Sequence, residues 1–471
     1  MRVAVTGATG FVGRSFIQQF GKEFSLRGLG RSGTPPAWLP EGTQWKSADL
    51  YSLLDAEQAL KNCDVAIYLI HSMVPSARLN QGSFEDTDLI LADNFARAAR
   101  KAGVKRIIYL GGIMPDIAEE ELSVHLRSRK EVETVLGSTG IPVIAIRAAL
   151  VLGPGGSSFE MMRKLVQRLP VMVCPSWTSS LSNPVYVQDL LNLIHALVNE
   201  PGKKSATINA PGPDRLSYID LMGKTAKALG KKRYFLPVSF YSPRLSLLWI
   251  ELITGSSSEL VSPLVESLKH DMVADAPAKY KRLLRTRIDE ALMKSSAAST
   301  ESSSKPGGPA RTATLVPARK IKNASRNESL VRSVQRLPLP DQKNAIYLAE
   351  LYPIWLQSKL RPFLKIKRNP DSGVVGFYVL GLKLLELTLS QERSDPTRQL
   401  YYVTGGLLAA SNSRGRLEFR TIPSLNCALS AVHSFQPALP WYIYKFTQAP
   451  VHLWVMNAFA RFLATYSNPV P

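Results

Sequence analysis

"MRVAVTGATGFVG", residues 1–13, is the stretch whose reading decides the fold. Val3 to Thr6 reads as a short, β-rich apolar strand; Gly7, Gly10 and Gly13 follow, and "RSFIQQF" continues at helical spacing. A strand, a glycine turn and a helix in this order make a ready site for a pyrophosphate. The glycines let the backbone turn tightly and approach the ligand, while the helix N-terminus offers N–H groups and partial positive charge. The spacing is G-x-x-G-x-x-G, not the older G-x-G-x-x-G fingerprint. A glycine triplet is weak evidence alone; its weight comes from sitting at the first strand–helix junction of a chain that keeps alternating. Gly7, Thr9, Gly10, Phe11, Val12 and Gly13 are therefore candidate cofactor-binding residues.

Outward from this turn, "FSLRGLGRS", "TQWKSADL", "DVAIYLI", "VKRIIYLGG" and "IPVIAIRAALV" read as five further strands. Helical stretches are expected at 52–61, 83–102 and 124–139. Near-continuous apolar strands alternating with amphipathic helices predict an α/β fold, a doubly wound parallel Rossmann sheet covered on both faces. Ligands bind at the carboxyl ends of such strands. The second strand selects the cofactor: an acid there suits the ribose 2′-hydroxyl of NAD, whereas positive charge suits the 2′-phosphate of NADP. It ends "LGRSG", with Arg31 and no acid nearby, which favours NADP(H) over NAD; the plainer reading of Arg31 is a solvated loop arginine. Asp49 and Leu50, after the third strand, are expected over the adenine. Leu69 to Met73, including His71, are expected to line the ribose and nicotinamide side, although a turn histidine satisfied by backbone remains an equal reading of His71.

"VTGATGFVG", "DL" after the third strand, "NPVYVQDLLNLI" and "APGPDRLSYIDLM" resemble the extended and atypical short-chain dehydrogenase/reductases, the NmrA-like branch in particular. "LIHSM", "HLRSRKEVETVL" and "GLGRS" resemble a bacterial group in which such a domain is fused to a C-terminal domain with a START-like, helix-grip character. The first resemblance covers residues 1–275 and implies an NAD(P)-dependent oxidoreductase; the second, over 345–471, is much weaker. Typical members pair a Tyr with a Lys four residues on, plus a Ser after the fifth strand. Here Gly111 and Gly112 stand where Ser is expected, and His125 and Arg129 meet the helical spacing. Three readings of His125 stay open: an acid/base whose charge Arg129 tunes, a cofactor-positioning residue, and a packed histidine. Arg129 equally suits holding a phosphate or ribose. Ser123 and Lys130 are substitutes without the right offset.

Arg147, ending the sixth strand, is the polar candidate facing the substrate cleft. Met161, Met162, Trp177, Tyr186 and the run 233–254 offer an apolar pocket wall, though such stripes are more often core. His195 and His270 have no partners at metal-ligand spacing, and His433 and His452 stand in aromatic surroundings. Cys63, Cys174 and Cys427 are far apart, so neither a metal site nor a disulfide framework is expected, which fits a reducing compartment. The N-terminus enters a strand at once and no run reaches bilayer length, so a cytoplasmic protein is expected, with peripheral contact to an anionic membrane left open.

The formal charge of +21 is uneven: residues 294–344 hold ten Lys/Arg against three Asp/Glu and no aromatic residue. Such a stretch cannot bury enough apolar surface to order itself. It sets the expected domains as 1–275 (dinucleotide core 1–156, then a substrate lobe), 276–344 (a basic helix over 279–294, then a flexible linker) and 345–471. In the last body three antiparallel stretches and a helix with a Val451, Trp454, Val455, Ala458, Phe462 stripe suit an α+β helix-grip domain, hollow or filled. Without a recognised nucleic-acid fold, nucleic acid is an unlikely partner. The expected function is an NADP(H)-binding reductase acting on a hydrophobic carbonyl or quinone-like acceptor. The alternatives are a non-catalytic NADPH sensor or assembly factor, and a lipid-binding protein with a vestigial nucleotide site.

Overall fold

The computed structural model describes residues 1–72, 79–202, 204–238, 265–301, 330–410 and 414–467, with side chains at 297–301 and 467 excepted. The chain divides into two compact units, Met1–His71 with Ala92–Lys322, and Ser72–Leu91 with Asn323–Pro471. The elements begin with β1 (Arg2–Val5), α1 (Phe11–Phe20), β2 (Ser25–Gly30), β3 (Gln44–Ser47), α2 (Leu53–Leu60) and β4 (Val65–Tyr68). Then come β5 (Leu79–Gln81), α3 (Phe84–Ala102), β6 (Arg106–Gly112), α4 (Val124–Gly137), β7 (Val143–Ala148) and β8 (Val151–Leu152). The lobe adds α5 (Ser157–Arg168), β9 (Val171–Cys174), β10 (Leu181–Ser182), β11 (Val185–Tyr186), α6 (Val187–Asn199), β12 (Ala206–Asn209) and β13 (Leu216–Ser217). It closes with α7 (Tyr218–Ala228), β14 (Tyr234–Pro237), α8 (Ala278–Lys281) and α9 (Ile288–Glu301).

The first unit is built on a seven-stranded sheet in the order β12-β7-β6-β4-β1-β2-β3. Every pair in it is parallel. The order reverses direction between β1 and β4, and that switch point opens the crevice in which such sheets bind ligands. Thr6 fastens the two strands together there: its hydroxyl donates to the Ile67 carbonyl at 3.1 Å and accepts from the Leu69 N–H at 2.9 Å. On one face, Phe16, Ile17 and Phe20 of α1 pack with Leu190, Ile194 and Leu197 of α6 over Val3 and Val5.

The lobe has its own core, in which Phe159, Met162, Met172, Leu221 and Leu292 are buried together. Met162 and Trp177 are therefore core residues, not an open pocket wall; the Trp177 ring meets Tyr218 edge-on at 6.0 Å. Residues 239–254 of the expected wall, and Met73, lie outside the described residues. The single basic helix expected over 279–294 is two helices. Between α8 and α9 the chain is held by acids: Thr286 donates its N–H and hydroxyl to Asp189, each at 2.7 Å, and the Ile288 N–H meets Asp214 at 2.7 Å.

The second unit contains β15 (Val331–Pro338), α10 (Ala345–Lys359), β16 (Leu364–Asn369), β17 (Val374–Val379) and β18 (Leu382–Leu389). It continues through β19 (Arg398–Gly405), β20 (Arg416–Ile422), β21 (Cys427–Phe435), α11 (Trp441–Phe446) and α12 (Gln448–Ser467). Its eight-stranded sheet runs β16-β17-β18-β19-β20-β21-β15-β5 and is antiparallel except for the β15–β5 pair. Two expectations are corrected here. Val331–Pro338, assigned to the linker, is an inner strand buried on both faces, with Arg332, Ser333 and Gln335 buried alongside Val331, Val334 and Leu337. Residues 79–81, assigned to a loop of the dinucleotide domain, supply a strand of this sheet, where Gly82 packs so closely on Val334 that a Cβ would lie 2.0 Å from its carbonyl oxygen.

Two of the three stretches read as single strands each fold back as a hairpin, through Leu380–Gly381 and through Pro423–Asn426. Behind α12 the space is occupied by rings: Tyr352 lies 5.3 Å from Phe419 and 5.2 Å from Phe459, and Trp355 lies 5.0 Å from Phe459. The buried stripe of α12 is Val455, Met456, Phe459 and Leu463, rotated from the expected one, so Val451 and Trp454 stand in solvent.

A buried ionic cluster sits on β19–β21. Glu418 accepts from Arg398 at 2.8 and 3.0 Å and is ion-paired with Arg420 at 2.9 Å. Burial pushes the Glu418 carboxyl upward, but the guanidiniums of Arg420 and Arg398 outweigh it and hold the group well below the usual carboxylate range. Replacing Glu418 by Ala strands two buried cations and is expected to cost about 3–5 kcal/mol in denaturant unfolding at neutral pH. His452, donating to or accepting from Ser333 Oγ at 3.1 Å, is pushed by burial down to about 4. The unfolded histidine titrates near 6.5, so the unfolded chain takes up its proton first. Stability is thus full above pH ~6.5 and falls by up to ~3 kcal/mol as pH drops to ~4; His452→Gln should flatten that part of the stability–pH profile.

Candidate nucleotide-binding site

The site grows from the backbone of residues 7–13. Gly7 has φ +59°, and a Cβ there would lie 2.9 Å from the Leu69 carbonyl oxygen. A Cβ on Gly13 would lie 2.4 Å from the Gly7 carbonyl oxygen, so only glycine lets α1 approach the turn this closely. Gly10 is the N-cap of α1, with no side chain capping it and no acid in the first turn. The α2, α4 and α7 N-termini, by contrast, are capped by Ser52, Ser123 and Ser217. The first-turn N–H groups of α1 are left to meet an anion, which is what a dinucleotide pyrophosphate requires. Thr9 and Gly10 are exposed at the apex, and the Phe11 ring packs beside Gly153 and Gly156 after β8.

Arg31 follows β2 and is exposed; its carbonyl accepts from Ser47 Oγ at 3.3 Å. The preceding Gly30 serves a residue that sequence reasoning overlooked. The Trp45 ring lies across β2, where a Cβ on Gly30 would come within 2.5 Å of it, and Trp45 Nε1 donates to the Ser32 carbonyl at 3.0 Å. Trp45 thereby fixes the loop that carries Arg31. Asp49 is half-buried and accepts from the Tyr51 N–H at 3.3 Å, while Leu50 is buried with its carbonyl held by Asn94 Nδ2 at 2.9 Å.

Leu69 and His71 lie after β4, and His125 begins α4. The structure brings the two histidines together, with ring centroids 5.0 Å apart at 56°. Arg129 is buried and has a different task from the free tuning charge its spacing suggested. Its guanidinium donates to the Ile70 carbonyl at 3.3 Å and to the Leu110 carbonyl, tying the ends of β4 and β6. It also lies 5.0 Å from the Tyr109 ring centroid, and the Tyr109 hydroxyl returns a bond to the Arg129 carbonyl at 3.0 Å. Gly111 and Gly112 end β6 between these groups, and a Cβ on Gly111 would stand 3.0 Å from the Tyr109 ring.

The remaining candidates are held by structural partners. Arg147 forms a two-point pair with Glu133 of α4 at 2.9 and 3.1 Å, and Thr207 adds a third bond to that carboxylate at 3.1 Å. Its guanidinium therefore clamps α4 to β7 and β12 through a carboxylate of matching geometry. Ser123 caps α4 and meets Ser267 Oγ at 2.7 Å; Lys130 pairs with Glu119. Among the described residues no group of His, Cys, Asp or Glu could hold a metal ion.

Residues 7–164 match the family model described as NAD(P)H-binding, so the first unit contains an NAD(P)H-binding domain. The "Auxiliary protein GraX" of Staphylococcus aureus is 28% identical over 144 residues, 30% of this chain and 42% of that protein. The chain thus spans well under half of that relative. The "Ceramide reductase" of Caulobacter vibrioides is 25% identical over 232 residues, 49% of this chain and 71% of that protein. The triphenylmethane reductase of Citrobacter sp., solved with NADP(H), is 20% identical with a TM-score of 0.50, covering 62% of this chain and 99% of that one; this likeness is one of fold.

Because Arg129 makes charged bonds to two strand-end carbonyls, Arg129→Met is expected to destabilise the protein by about 2–4 kcal/mol in denaturant unfolding. Arg129→Lys should recover only part of this, since an ammonium lacks the fork that reaches both oxygens. An unchanged midpoint in Arg129→Met would remove the structural role.

Proposed function

We propose that this chain is an NADP(H)-binding reductase acting on a bulky apolar carbonyl or quinone-like acceptor. The observation that carries the reading is the glycine-only approach of α1 to the β1 turn, open at the switch point, with Arg31 exposed at the end of β2. Gly7 to Gly13 would hold the pyrophosphate on the first-turn N–H groups of α1. Arg31 would meet the 2′-phosphate, a task for which no acid competes within residues 30–34. Asp49 and Leu50 would border the adenine, and Leu69 and His71 the nicotinamide ribose. The bound dinucleotide supplies the hydride.

His125, beside His71, would hold and deliver the proton that the acceptor oxygen needs, the role the usual Tyr and Lys fill elsewhere. Imidazole titrates near neutrality, so one ring can donate while the other steadies it. An apolar acceptor agrees with the ceramide named for the Caulobacter relative. Arg129 favours a second reading: its guanidinium is bound to two strand-end carbonyls, a fastener's task rather than a tuning charge's, and the chain then binds nucleotide without turnover as a sensor or assembly factor.

Calorimetric titration should show tighter binding of NADPH than NADH, and Arg31→Asp should lower NADPH affinity at least about tenfold while sparing NADH. No binding of either nucleotide to the wild-type protein would sink both readings. With NADPH and a panel of long-chain ketones and quinones, His125→Phe should abolish turnover and keep NADPH affinity. Loss of affinity with no wild-type turnover on the panel would assign His125 to holding the nucleotide.

A further inference from the structure

One end of the second unit's sheet collects large apolar side chains in solvent. Leu364 pairs with Val379, and this register sets Phe363 beside the β17–β18 turn at Leu380 and Gly381. Beyond β19 the Leu407 and Leu408 N–H groups donate to the Lys383 and Leu384 carbonyls at 3.1 and 3.0 Å. Ala409 then bridges to Pro437, immediately before α11. Phe363, Leu380 and Phe446 are 68%, 86% and 75% exposed, and Leu382, Leu407 and Tyr442 are exposed with them.

Single exposed apolar residues are ordinary, but a run of them along one end of a sheet is not. Leu380 carries two penalties at once. Turns in water favour Gly, Asn, Asp or Ser, and Leu380 holds φ +48°, the left-handed region that disfavours leucine.

The charge around this end is predominantly basic, and Glu386 of β18 is ion-paired with Lys383. Residues 359–370 carry five Lys/Arg and no acid, and no Asp or Glu follows Glu418 in the chain. Lys365 and Lys367 stand exposed on β16, the last strand on that side of the sheet. Lysines there guard an open edge against strand addition, which accounts for the charge but not for Phe363 and Leu380. Lys445 lies 5.6 Å from the Phe446 ring centroid, so basic and apolar groups alternate along the surface.

We propose that this end of the second unit is a docking surface for an anionic phospholipid bilayer. Leu380, Leu407, Phe363 and Phe446 enter the acyl boundary, Tyr442 sits at headgroup depth, and the lysines and Arg361 meet the phosphates. Contact is peripheral: among the described residues, no helix is long and apolar enough to cross a membrane. The inference stands apart from the nucleotide site and from whether the chain turns over.

The test is flotation of the full chain with vesicles of phosphatidylcholine alone, or with roughly a third phosphatidylglycerol. The expected result is binding at least about tenfold stronger to the anionic vesicles and weakened by salt. L380S combined with F446S should lower it about tenfold with circular dichroism and melting unchanged. K365E combined with K367E should erase the preference for anionic lipid, and decides the matter if the first pair misfolds. Failure of the wild-type protein to float with either vesicle, or equal flotation of a folded L380S/F446S variant, overturns the proposal. So does a dimer that these substitutions dissociate without any vesicle binding, which would assign the face to a second copy.

Discussion

The constraint on which the first unit's candidate site depends is the contact between two pieces of backbone, the start of α1 and the turn after β1. Gly13 faces the Gly7 carbonyl at a distance no side chain could share, and Gly7 in turn faces Leu69 at the end of β4. Because α1 is held there, its uncapped N-terminus points over the switch point rather than into the protein. Thr6 locks the same place from beneath by bridging β1 and β4. Larger residues at these positions would separate helix from sheet and remove the anion site along with the packing. Fold and the proposed binding thus rest on one set of glycines, whose missing side chains are the feature that matters.

The second structural theme is arginine used as a fastener. Arg129 ties β4 to β6, Arg147 ties β7 to α4, and Arg398 and Arg420 converge on Glu418. In each case a planar, permanently charged fork meets two acceptors or a carboxylate, geometry a lysine cannot reproduce. This bears directly on the chemistry. A cation at the Arg129 position would be expected to tune its neighbour, yet here its bonding capacity goes to carbonyl oxygens at the strand ends. Beside it the described residues bring His71 and His125 together, their ring centroids 5.0 Å apart.

Much of the first unit was legible because its signals are local. The period of each strand and helix, the glycine turn and the residue ending β2 are written in consecutive residues, and the expected strands over 24–32, 43–50, 64–70 and 104–112 each contain the strand observed. What escaped is long-range. Trp45 over Gly28 and Gly30, the meeting of His71 with His125, and Glu133 against Arg147 depend on pairings between distant segments that spacing alone does not encode. The strand at 331–338 was hidden by the opposite problem. Its surroundings are basic and serine-rich, and with Arg332, Ser333 and Gln335 buried on it the strand shows no apolar alternation to read.

The same contrast explains why α12 was misjudged by a fraction of a turn. Val451, Trp454 and Val455 fit an apolar stripe on paper, and hydrophobicity alone ranks Trp454 as a core residue. The helix instead turns Val455, Met456, Phe459 and Leu463 inward, because Tyr352, Trp355 and Phe419 already define the shape that must be filled. Packing complementarity, which sequence periodicity cannot resolve to a single rotation of the helix, chose the buried face. The residues left over are then not random. Aromatic side chains displaced from the core remain exposed, and a sequence pattern that looked like interior becomes an exterior feature in need of a partner.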